Sequence, residues 1–127
     1  MSKESLIKYW QKYKVITDKK VLSAFKKLPR ENFLPEDLKK QAYDDFPLPI
    51  GHNQTVSQPT TIMIMLQALE LKKTDKVLEV GTGSGYNAAL ISNILKQGKI
   101  YTTEIIPELA ESSRLTLEKL KIKNIEV

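Results

Sequence analysis

The stretch KVLEVGTGSGYNAALIS, Lys76 to Ser92, decides how the chain folds. An apolar run, Val77–Val80, ends in three alternating glycines, Gly81, Gly83 and Gly85, and a second apolar run follows at once. Alternating glycines strip side chains from a turn, so the backbone can bend tightly and a ligand can lie against it. The spacing predicts a strand over Val77–Val80 and a helix over Tyr86–Leu95. The turn then lies at the carboxyl end of the strand, where open α/β sheets bind ligands. A second strand is predicted over Ile100–Thr103. Glu104 ends it, 19 residues after Gly85. A carboxylate at that point can accept hydrogen bonds from both hydroxyls of a ribose. Strand, glycine turn, helix, strand and acid together read as a nucleoside-binding half-sheet.

The identity of the nucleoside turns on charge. The dinucleotide fingerprint is G-x-G-x-x-G, whereas this turn reads G-T-G-S-G with Tyr86 where the last glycine would fall. No G-x-x-x-x-G-K-[ST] occurs, which excludes a P-loop. Glu79 lies two residues before the first glycine. An acid there disfavours a pyrophosphate and favours a cationic ligand. S-adenosylmethionine carries a sulfonium and an ammonium and no phosphate, so the charge argument prefers it to NAD. The competing reading of Glu79 is a solvated acid at a strand end.

Outward from the turn, Pro107 opens a helix to about Leu120 with Leu109, Ser113, Leu117 and Leu120 on one side, and Asn124–Val127 begins a third strand. Strands alternating with helices argue for a parallel sheet with right-handed crossovers. Towards the N-terminus, Ser57 is a plausible N-cap, with Pro59 in the first turn of a helix to about Leu71. Its expected buried stripe is Ile62, Met63, Met65, Leu66 and Leu69, with the methionines filling core. The segment DDFPLPIGHNQTVSQP, with three prolines and no helical period, is expected as extended chain or loop. Pro35 opens a short helix, PEDLKKQAY. A helix from Thr17 or Asp18 places Val21, Leu22, Phe25 and Leu28 on one face and stops before Pro29. The first helix, about Ser2 to Tyr13, has Leu6, Ile7, Tyr9, Trp10 and Tyr13 as its apolar side.

Composition narrows the chemistry. The 127 residues are 41% hydrophobic and 28% charged, which suits one globular domain rather than a disordered chain. No apolar run approaches the ~20 residues that span a bilayer, and the Lys-rich start has no signal-peptide core. Absence of cysteine excludes disulfides, zinc–thiolate sites and a cysteine nucleophile, and fits a reducing, cytoplasmic setting. His52 is the sole histidine, so no multi-histidine metal site exists, and no metal is expected. The net charge of +5 lies wholly in residues 1–76, with 14 Lys/Arg against 9 Asp/Glu. Only two of the 20 cations are arginines, and bidentate base recognition favours Arg, which argues against nucleic acid as partner.

With PRENFLP, AYDDFPLPIG and QTVSQPTT upstream and TTEIIPELAESSR downstream, the chain from about Val21 to Val127 resembles protein-L-isoaspartate O-methyltransferases. The glycine turn alone indicates a class I methyltransferase; PRENFLP and QTVSQP are the more specific elements. The resemblance implies an α/β, Rossmann-like class I methyltransferase fold, here the first half of the parallel sheet in strand order 3-2-1 with N-terminal helices. It divides the chain into an N-terminal helical and substrate-side region, 1–54, and an incomplete cofactor-binding unit, 55–127. It implies S-adenosylmethionine as cofactor, held by Glu79, Gly81, Thr82, Gly83, Ser84 and Gly85 with Glu104 on the ribose and Gln54 and Val56 alongside. It implies Ser57 as the active-site serine, with Thr55 beside it. Asn53 departs from the family, many members having glycine there, and His52 matches no catalytic role.

The implied reaction methylates the α-carboxyl of L-isoaspartyl residues in damaged proteins; the ester then collapses to a succinimide that can reopen to aspartate. A carboxylate is already ionised at neutral pH, so no general base is required and the scarcity of histidine is no obstacle. Members of the family continue beyond NIEV with a G-D-G turn and the rest of the sheet, so the chain reads as an N-terminal part, expected to be inactive alone and to self-associate or pair with a complementary half. Two other readings stay open: a methyltransferase of this fold acting on RNA or another small substrate, and a non-catalytic half that works only with another chain.

Overall fold

The structure is a computed structural model that describes residues 1–127. Its centre is a three-stranded parallel sheet. β3 (Lys76–Val80) pairs with β4 (Lys99–Thr103), and β4 pairs with β5 (Ile125–Glu126). The order β3-β4-β5 is the expected 3-2-1 half-sheet read from its other edge. The register sets Leu78 against Tyr101 and Val80 against Thr103. α4 (Tyr86–Ile94) and α5 (Pro107–Lys119) supply the crossovers. Gly98 closes the approach to β4 so tightly that a Cβ there would stand 2.1 Å from the Asp75 carbonyl oxygen.

α4 buries seven of its nine residues because it lies between two layers. One side meets β4, and the other meets α2 (Lys19–Lys27). Asp18 caps α2 through the amides of Lys20 and Val21. α1 (Lys3–Lys12) starts with a capping box between Ser2 and Ser5 and buries Leu6, Ile7 and Trp10. One cluster of 26 buried residues runs from Leu6 through Phe25 and Leu90 to Leu117, so the N-terminal helices and the sheet share a core.

Several expectations are corrected. Tyr9 and Tyr13 are exposed, stacked on each other with ring centroids 5.0 Å apart, because three residues of α1 already fill its contact face. Residues after Pro35 form a 3-10 helix, Glu36–Gln41, preceded by another, Arg30–Phe33. The proline-rich segment contains a hairpin, β1 (Leu48–Gly51) with β2 (Gln54–Val56). Its two-residue turn, His52–Asn53, has φ of 52° and 55°, the left-handed pair that such turns demand. Asn tolerates that conformation.

Ser57 is not the cap of the next helix. α3 (Pro59–Ala68) has Gln58 at the N-cap position with no side-chain cap bond. Asp45, from the preceding loop, takes the role instead: it accepts from the Thr60 amide at 2.9 Å and the Thr60 hydroxyl at 2.7 Å. Trp10 Nε1 donates to the same hydroxyl at 2.8 Å, tying α1, α3 and the loop together. α3 buries Ile62, Met63 and Leu66, but Met65 is 64% exposed and Leu69 is exposed as well.

Candidate functional site

The three glycines do three different things. Gly81, at φ 94°, faces open space, and a Cβ there would meet nothing within 4 Å. Gly83 lies beside Ile50 of the hairpin. Gly85, buried at φ 84°, starts α4, and its missing side chain lets Ser113 and Leu117 of α5 approach to within 3.7 Å of where a Cβ would be. The first two glycines therefore clear the turn, and the third packs the helix pair.

The turn forms one wall of a cavity of about 380 Å³. The segment from Thr55 to Ser57 forms a second wall, and Met65 and Leu69 of α3 a third. Met65 of α3 and its C-cap residue Leu69 thus line the cavity rather than the core. Of the residues singled out in the sequence, Thr55, Val56, Ser57, Glu79, Gly81, Thr82, Gly83 and Ser84 line this cavity together. Gln54, Gly85 and Glu104 do not; Glu104 reaches it through the turn, as its carboxylate accepts from the Gly83 amide at 2.8 Å and the Ile106 amide at 3.2 Å. Each oxygen keeps a free lone pair.

Glu79 is held from two sides. One carboxylate oxygen accepts from the Thr102 hydroxyl at 2.6 Å, and the other from the Asn87 side-chain amide. Thr102 spends its proton on Glu79, so the buried Thr82 hydroxyl donates to Thr102, at 2.7 Å. Burial pushes the Glu79 carboxyl above its ordinary range; the bonds from Thr102 and Asn87 pull it part of the way back, and the nearby Glu104 charge adds to the rise. A solvated strand-end acid does not describe it. Asn87 was missed in the sequence, although it is the one polar residue at the start of an otherwise apolar helix and follows the turn directly.

The opposite wall is less engaged. The hydroxyls of Thr55 and Ser57 bond to no other group of the chain, whereas the Ser57 carbonyl accepts from Arg30 Nη2 at 2.8 Å. The cavity thus places one buttressed carboxylate, Glu79, and bare backbone across from two free hydroxyls, with Glu104 bracing the turn from outside it, suited to a ligand that is cationic on one side and anionic on the other.

A family model described as protein-L-isoaspartate(D-aspartate) O-methyltransferase matches residues 1–127. Similar curated proteins include the protein-L-isoaspartate O-methyltransferase of Petrotoga mobilis, 50% identical over 94% of this chain and 55% of its own length. That of Ignicoccus hospitalis is 50% identical over 88% and 54%. Archaeoglobus fulgidus protein-L-isoaspartate O-methyltransferase 2 is 51% identical over 86% and 50%. The chain spans about half the length of the curated relatives it matches. A solved protein-L-isoaspartate O-methyltransferase superposes with a TM-score of 0.86 at 30% identity, covering 98% of this chain and 41% of that one. A Plasmodium falciparum protein of that name, in complex with S-adenosyl-L-homocysteine, shares the fold with a TM-score of 0.83 at 24% identity, over 99% and 62%. No helix of the chain is long and apolar enough to cross a membrane. The chain belongs to the protein-L-isoaspartate(D-aspartate) O-methyltransferase family.

Proposed function

We propose that this chain supplies the cofactor turn and the acceptor-side loop of an enzyme that methylates the α-carboxyl of L-isoaspartyl residues in damaged proteins. The observation that carries the reading is one cavity that brings the buttressed Glu79 and the glycine turn, braced by Glu104 through the Gly83 amide, together with the Thr55–Ser57 segment and its free hydroxyls. The residues fit S-adenosylmethionine: Gly81 leaves bare backbone, and the acids oppose positive charge. When bound, that cofactor supplies an electrophilic methyl group on a sulfonium.

In this reading Glu79, Gly81, Thr82, Gly83 and Ser84 hold the amino-acid part of the cofactor, and Glu104 takes the ribose hydroxyls. Val56 closes the cavity from the hairpin side with Gln54 just outside it, and Gly85 acts by seating α4 against α5. Thr55 and Ser57 donate to the acceptor carboxylate and aim one oxygen at the methyl carbon, so that the gain is one of orientation in a dry site. No proton has to be removed, because the acceptor is already an anion. Residues 1–54 form the substrate-side region and 55–127 the cofactor unit, working in the cytoplasm on isoaspartyl proteins. The open β3 edge is the place where a complementary segment, or in its absence a second copy, would attach.

The test is a methyl-transfer assay on this chain and on its fusion to the remaining half of the Petrotoga mobilis relative. The fusion is expected to methylate an isoaspartyl peptide and to leave the aspartyl peptide and RNA untouched, while the chain alone is inactive. Methylation of RNA, or a fusion that folds and transfers nothing, contradicts the reading.

A further inference from the structure

Arg30 lacks what buried cations ordinarily have. It is one of two arginines in the chain, and it is 0% exposed. None of the chain's ion pairs includes it. Its guanidinium lies over the Tyr86 ring, 5.1 Å from the centroid, and Nη2 donates to the Ser57 carbonyl. Nε, Nη1 and the buried Tyr86 hydroxyl have no partner. Asp45 is the nearby acid felt by Arg30, but both its oxygens are already engaged by Thr60. Glu31, the next residue in the chain, accepts from the Tyr43 hydroxyl. A guanidinium stays protonated in a protein, so this is a permanent charge removed from water with one hydrogen bond and one aromatic face in return.

The position of that charge gives it a use. The bond to the Ser57 carbonyl holds the guanidinium against the backbone of a residue that lines the cavity. Arg30 is fully buried, so its field at the cavity is screened less than that of a surface charge. It also polarises the Ser57–Gln58 peptide and pins the segment that carries both free hydroxyls.

We propose that Arg30 is a positioning residue that provides the counter-charge for the anionic acceptor, drawing its carboxylate onto Thr55 and Ser57 from behind the Ser57 backbone. The inference rests on the reading that the acceptor is a carboxylate, and adds to it how that carboxylate is selected over a neutral group.

Nuclear magnetic resonance titration of the 127-residue chain tests this with two peptides: one carrying L-isoaspartate with a free α-carboxylate, the other its neutral α-carboxamide. The acid is expected to move the Thr55 and Ser57 amides and the Arg30 Nε–H resonance, which only Arg114 could be confused with, and to bind more tightly than the amide. In R30Q the preference for acid over amide is expected to fall by about tenfold, because the charge is gone. In R30K, which keeps the charge, most of the preference is expected to remain. A role limited to packing would weaken both peptides equally and leave the preference intact, and that result overturns the inference. Should R30Q not fold, the wild-type chain still decides: an Arg30 Nε–H that ignores the acid, or equal affinity for acid and amide, overturns it. A chain that responds to neither peptide removes the carboxylate reading and this inference with it, and is told apart by the silence of Thr55 and Ser57.

Discussion

The two faces of the parallel sheet differ more than any other regions of the molecule. On one face Ile100 is 0% exposed and Thr102 is buried, both under α4. On the other, Leu78 is 67% exposed and Val80 84%, and Tyr101 and Ile105 are exposed beside them. The two faces are equally apolar in sequence, because strands that are buried on both sides read as continuous hydrophobic runs. The composition of β3 and β4 therefore describes a sheet built to be covered twice, and this chain covers it once.

The largest effect that sharpens this contrast comes from Ile100→Ala. Removal of a fully buried branched side chain is expected to cost about 2–5 kcal/mol in chemical denaturation. A loss below 1 kcal/mol would mean that α4 does not press on the sheet. The next effect comes from Glu79, on the covered face. Its raised carboxyl pKa means that folding favours the protonated form. The associated stability is fully present below the ordinary, unfolded carboxyl value and is lost as the pH rises through the raised folded value. Glu79→Gln, with Asn87 turning its amide to match, is expected to raise stability at neutral pH by about 1 kcal/mol. The gain should vanish as the pH falls back through that window; thermal melts at several pH values read it. A gain that grew in acid would reverse the sign of the argument. The smallest effect on the fold is that of Leu78→Ser on the bare face, expected within about 0.5 kcal/mol. The same substitution should reduce self-association in sedimentation runs. A cost as large as that of Ile100→Ala would show that the face is covered in solution.

The part of the fold that was legible in the sequence is the part that repeats. Apolar runs of strand and helix length, the glycines between them and Pro107 at a helix start fixed β3, α4, β4 and α5 to within a residue or two. What escaped has a common cause in long-range contact. Ser57 precedes a proline and looks like a cap, but Asp45 reaches α3 from a separate loop, and nothing in the local pattern announces it. Met65 and Leu69 sit at helical spacing with the core residues of α3, and periodicity cannot tell a core from a cavity wall. The pairing of the hairpin hid because its turn is His-Asn rather than Asn-Gly, so that the flanking strands read only as extended chain or loop. The acids and glycines of the site were identified by type and spacing; their division of labour, with Gly85 facing α5 and Glu104 closing on Gly83, required coordinates.

Trp10 gives the molecule its own optical reporter. It is the sole tryptophan, it is fully buried, and its indole N–H is committed to the Thr60 hydroxyl, which in turn donates to Asp45. Indole emission is sensitive to just such a partner and to contact with water. A shift of that emission to longer wavelength would therefore signal that the first helix has parted from the segment leading into α3, whether or not the sheet has melted. Fluorescence and far-ultraviolet dichroism recorded on one sample would then separate the opening of the acceptor side from loss of the whole fold, without a label or an added ligand.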